Sequence, residues 1–67
     1  MMTRYFVTKC FPPKLAPIYK AYVVTEQQVI KCASSRDILD LVKFLEIAVD
    51  RVITFDDASR VDFYKAL

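Results

Sequence analysis

The chain has 67 residues, 55% apolar and 27% charged, with a formal net charge of +2, a composition too hydrophobic for disorder and long enough for one small domain. A chain this short buries only about 60% of the surface its unfolded form exposes, so a large enzyme cleft is not expected. Histidine and glycine are both absent, which disfavours the common zinc arrangements and the glycine loops that cradle phosphates, so neither a metal nor a nucleotide cofactor is expected.

Residues 4–10 (RYFVTKC) are dense in aromatic and β-branched side chains and read as a strand, with Tyr5 and Val7 on one side and Phe6 and Thr8 on the other. Residues 11–17 (FPPKLAP) carry three prolines, which lock φ and remove amide donors, so they read as a stiff connector; a PxxP-like ligand is the rival reading. Residues 18–25 (IYKAYVVT) alternate as a second strand, with Tyr19, Ala21 and Val23 on one face and Ile18, Lys20, Tyr22 and Val24 on the other. Residues 28–33 (QVIKCA) form a third, antiparallel to the second through a turn at Glu26 and Gln27.

Residues 34–55 read as the main helix, capped by Ser34 or Ser35, with Asp37 as the acidic half of a capping box. At about 100° per residue, Ile38, Leu41, Val42, Leu45, Ala48 and Val49 fall within one arc of about 120°, the stripe a core-facing helix needs. Asp40, Lys43, Glu46 and Asp50 share the far side, with Leu39 and Ile47 among them and Phe44 at the margin of the stripe. The chain therefore has more apolar helix surface than one core contact requires. Within the same span, residues 52–55 (VITF) are β-prone and fit a last helical turn, a linker or a fourth strand.

Asp56 and Asp57 are good helix starters; Ala58, Val61, Tyr64 and Leu67 recur every third position, and Lys65 suits a helix C-terminus. This gives a short helix over residues 57–66, with a C-terminal hairpin as the rival. The expected fold is α+β, a single domain over residues 1–67: a three-stranded antiparallel sheet (β-β-β) packed against one main α-helix, followed by a short C-terminal helix.

Catalysis is not expected. Ser34 and Ser35 have no histidine to activate them, and the pairs Asp37–Asp40 and Asp56–Asp57 are more simply a solvated helix face and a cap. Cys10 and Cys32 read as small buried residues on strands, with a disulfide between neighbouring strands as the rival reading; Lys9 is the one group beside Cys10 that would lower its thiol pKa. With no apolar run of about 18 residues and no leader pattern, the expectation is a cytoplasmic chain without a membrane partner.

Charge is unevenly placed. Residues 1–36 hold six basic residues against one acidic, and residues 37–67 four against seven. The basic half offers Arg4, Lys9, Lys14, Lys20, Tyr22 and Lys31 to nucleic acid, with Tyr5, Phe6, Phe11 and Tyr19 also available for stacking. The favoured expectation is a non-catalytic module that binds a larger protein as inhibitor or adaptor. Its surface would be the surplus apolar patch at Leu39, Phe44 and Ile47, with Phe63 as a further candidate and Asp40 and Lys43 as charged rim, which would equally serve as a homodimer seam. In size and composition the chain resembles the small inhibitors that phages and mobile elements make against defence machinery, anti-CRISPR proteins included. Nucleic-acid binding is the second expectation, and an oligomeric structural subunit the third.

Overall fold

The aromatic and β-branched run near the N-terminus becomes the strand around which the sheet is built. In the computed structural model, which describes residues 2–67, it is β1 (Thr3–Cys10). It is followed by β2 (Ile18–Val24), β3 (Val29–Ser35), α1 (Ile38–Leu45), β4 (Arg51–Phe55) and α2 (Asp57–Ala66). The sheet order is β3-β2-β1-β4, with β1 and β2, and β2 and β3, antiparallel, and β4 parallel to β1. The α+β arrangement expected from the sequence is present, with the open segment at residues 52–55 resolved as a fourth strand. Since β3 and β4 run the same way at opposite edges, the chain must cross the sheet between them, and α1 is that crossover.

The two connections ahead of α1 use no glycine. Leu15 N donates to Pro12 O at 3.3 Å, closing a turn in which Lys14 takes φ 60, the left-handed conformation glycine would ordinarily supply. Between β2 and β3, Thr25 Oγ1 accepts from the amides of Gln27 and Gln28, so a side chain stands in for the missing backbone freedom. The β2–β3 register shifts between Ala21 and Tyr22: Ala33 pairs with Ala21 and Lys31 with Tyr22, leaving Cys32 as the extra residue of a bulge. Cys32 is therefore exposed, not buried as expected, and its Sγ donates to Ala21 O at 3.5 Å; Cys10 is half-buried, and both thiols are free.

The main helix is much shorter than residues 34–55. Ser34 and Ser35 belong to β3, and Asp37 is the cap, accepting from the amides of Leu39 and Asp40. Ile38, Leu41, Val42 and Leu45 are buried as the stripe requires. After Leu45 the chain tightens: Ile47 N donates to Phe44 O, Ala48 N to Leu45 O, and the Arg51 guanidinium to Ala48 O. Ala48 and Val49 are consequently not part of the stripe; Val49 is 97% exposed. The β-branched Val52, Ile53 and Thr54 then join β1 in register, where Ile53 and Phe55 pack against the core.

Residues 57–66 are helical, so the hairpin alternative does not hold, but the helix turns an unexpected side inward. Val61 is 49% exposed and Tyr64 and Leu67 more so, while Ser59 is buried and Phe63 stacks on Phe55 with ring centroids 5.1 Å apart. Both helices lie on one face of the sheet, since they pack against each other and the core they cover is Val7, Tyr19 and Ala21 with the α1 stripe.

Candidate functional site

Strand alternation decides what the other face presents. With Val7, Tyr19 and Ala21 turned to the helices, their neighbours Phe6, Thr8, Lys20 and Tyr22 must point the opposite way. The pairing then arranges them in rows. Lys31, Tyr22, Phe6 and Thr54 lie side by side across all four strands, so the two aromatic residues are directly opposite each other on the central pair. One row along are Val29, Val24, Arg4 and Val52; one row the other way, Ser34, Lys20 and Thr8. Phe6 and Tyr22 are half-buried among these neighbours, whereas Arg4 and Lys31 are exposed.

The electrostatics of this face are one-sided. Arg4, Lys20 and Lys31 flank the aromatic pair on three sides, with Thr54 on the fourth, and no described strand position on the face carries a carboxylate. Two acids flank β4, Asp50 before it, beside the start of β1, and Asp56 after it, and the oxygens of Asp56 are already engaged. Oδ2 accepts from Thr8 Oγ1 at 2.7 Å and from Lys9 N at 3.0 Å, and Oδ1 accepts from Ser59 N at 2.8 Å. Burial alone would push the Asp56 carboxyl up, but hydrogen bonding from Ser59, Thr8 and Lys9 outweighs it and holds the pKa at about 2. Asp56 thus tethers the start of α2 to β1. The Ser59 hydroxyl beside it is buried without a hydrogen-bond partner among the described residues.

Of the residues the sequence offers to nucleic acid, Arg4, Lys20, Tyr22 and Lys31 come together here. Lys9 does not. It points to the helix side, where its ammonium meets Asp62 Oδ2 at 2.6 Å and lies near the rings of Phe11 and Tyr19. Tyr19 also donates its hydroxyl to Asp62. The Asp62 hydrogen bond raises the Lys9 pKa, and in return the Lys9 and Tyr19 hydrogen bonds lower that of Asp62. Lys14 stands apart in the proline loop.

The proposed protein-binding patch is not gathered in the same way. Leu39 is half-buried, and Phe44, 54% exposed, stands about 140° from it around α1. Ile47, 75% exposed, lies beyond the end of the helix. Asp40 and Lys43 are exposed. Phe44 and Asp40 do border a shallow groove of about 280 Å³ against Ala33, Ser34 and Ser35 of the edge strand β3.

Phe6 is the residue that sequence reasoning valued too little. Its signal was available, because once Tyr5 and Val7 are assigned to the core, alternation turns Phe6 out. Its position opposite Tyr22 was not available, because that depends on the β1–β2 register. Among the described residues no three metal-ligating side chains cluster, and no helix is long and apolar enough to cross a membrane. No protein-family model matches the chain, and no curated protein or solved structure matches it either.

Proposed function

We propose that the protein is a non-catalytic module that binds nucleic acid on the open face of its sheet. The observation that carries this reading is the placement of Arg4, Lys20 and Lys31 on three sides of Phe6 and Tyr22, on a face that both helices leave bare. Cations on strands that carry no carboxylate suit a polyanion, and central aromatic rings suit its bases. This reverses the order in which the sequence places the two leading readings. A protein partner, met as inhibitor or adaptor, comes second: the specific support for it is exposed Phe44 beside the β3 groove, but Leu39, Phe44 and Ile47 share no common face.

Fluorescence anisotropy with labelled oligonucleotides over a salt series tests the proposal. Three phosphate contacts should give a slope of log Kobs against log[salt] of about −2 to −3. Lys20→Glu combined with Lys31→Glu should abolish binding. Absence of binding at low salt, or binding that the double charge reversal leaves intact, overturns the reading. In that event Ile47→Ser and Phe44→Ser, followed by capture of partners from nuclease-treated lysate, take up the second one.

A further inference from the structure

We infer that the ligand of the open face is a single strand of nucleic acid, with two adjacent bases laid on Phe6 and Tyr22 and the backbone held at the surrounding cations. This rests on the nucleic-acid reading above and names the form of ligand that the same site takes.

The rings and the charges are placed for an unpaired strand. Phe6 and Tyr22 are directly paired in the middle row of the two central strands; Arg4 and Lys20 lie on the same two strands one row to either side, and Lys31 stands beside Tyr22 on the edge strand. In a duplex the bases are stacked on one another inside and the phosphates are outside, so the centre of any contact would meet phosphate. A face built for that would put its cations in the middle. Here the middle is aromatic, and base faces reach an aromatic ring only when the strand is unpaired.

The shape of the face fits the same ligand. Neighbouring strands lie about 4.8 Å apart, so the four strands make a platform about 14 Å across. Neither connection between the antiparallel strands contains a helix or a further strand, and the helices are on the far side, so this face has no helix or β-ribbon to enter a major groove. A platform of this width matches two or three splayed bases. The flanking residues fit the same occupant. Val24 and Ile18 on β2 and Val52 on β4 add apolar surface at the margin, where sugars and base edges would lie, and Thr54 beside Phe6 offers a hydroxyl for a base edge. Stacking reads no sequence by itself, so the site should bind many sequences with little preference.

The test compares 12-nucleotide single strands of DNA and RNA with the duplex of the same sequence, by anisotropy and by quenching of tyrosine emission, which no tryptophan obscures in this chain. The inference expects either single strand to bind at least tenfold more tightly than duplex and to quench tyrosine emission; the better of the two strands identifies the natural chemistry. Phe6→Leu and Tyr22→Leu should each weaken single-strand binding roughly ten- to a hundredfold, Tyr22→Phe should restore affinity while losing most of the quenching, and circular dichroism would check that each variant is folded. If a leucine variant fails to fold, the wild-type preference for single strand over duplex still decides. Duplex binding as tight as single-strand binding, or folded leucine variants that bind as wild type does while the lysine reversals do not, overturns stacking and leaves the nucleic-acid reading standing. Failure of every oligonucleotide to bind overturns both.

Discussion

The two helices sit side by side on the same face of the sheet and are held there by different forces. In α1, Ile38, Leu41, Val42 and Leu45 are buried, four residues of eight, and Asp37 closes its N-terminus. In α2, longer by two residues, only Ser59 is buried, and its attachment is the Phe63–Phe55 stack together with two carboxylates. Asp56 ties its start to Thr8 and Lys9, and Asp62 ties its middle to Lys9 and Tyr19. Water exclusion holds α1, and that force does not titrate. Much of what holds α2 is charge-assisted hydrogen bonding to β1 and β2, which does.

The largest expected effect therefore falls on α1. Leu45→Ala removes a side chain only 1% exposed at the centre of the core, and should cost about 2 to 5 kcal/mol, a large share of the stability of so small a domain. Lys43→Ala on the opposite side of the helix should cost under about 0.5 kcal/mol. Chemical denaturation followed by circular dichroism separates the two, and equal midpoints would show that the stripe is not the anchor of α1.

Asp56→Ala comes next, at about 1 to 2 kcal/mol near neutral pH, the usual loss for an N-cap. Its signature is in the pH dependence. The Asp56 pKa is depressed on folding, so its contribution is fully present above the unfolded value of about 3.9 and is lost as pH falls through about 2. Asp62, also lowered, acts in the same direction. The melting temperature of the wild type should fall across this window, and that of Asp56→Ala should fall less. Hydrogen exchange sharpens the contrast: α2 amides should lose protection on acidification before α1 amides do. Simultaneous loss in both helices would mean that the carboxylates do not anchor α2 separately.

How far each helix was legible in the sequence follows from the same difference. Ile38, Leu41, Val42 and Leu45 announce themselves by period, because apolar attachment leaves a pattern along the chain. The end of α1 did not, since Ala48 and Val49 continue that period; the β-prone run at residues 52–55 was visible, but its choice of strand over helical turn or linker depends on the pairing with β1. For α2 the ends were legible from the acidic start and from Lys65, but the recurrence of Ala58, Val61 and Tyr64 pointed to the wrong side. A polar anchor such as Asp56 with Thr8, 48 positions away, has no periodicity to betray it. The candidate site divides likewise: Arg4, Lys20, Tyr22 and Lys31 were recognisable as residue types, whereas their assembly around Phe6 is a product of strand register, and Lys9, equally basic, is turned away by alternation.

The smallest expected effect completes the comparison, because it concerns the apolar residues that α2 does not use. Val61 and Leu67 are the kind of side chains that would anchor a helix like α1, yet both are exposed. Removing their apolar surface from a face already in water exchanges one hydrated side chain for another, so Val61→Ser with Leu67→Ser should shift stability by no more than about 0.5 kcal/mol. For a domain of this size that is roughly 2 to 4 °C in melting temperature. Leu41→Ser, the same chemical change on the buried stripe of α1, strips about the same surface from a position 2% exposed and leaves a hydroxyl there, and should prevent stable folding. A large drop in the α2 variant at high protein concentration that disappears on dilution would show the stripe covered by a second copy, which sedimentation would register directly. A large drop at every concentration would place Val61 and Leu67 in the core and remove the distinction between the two helices.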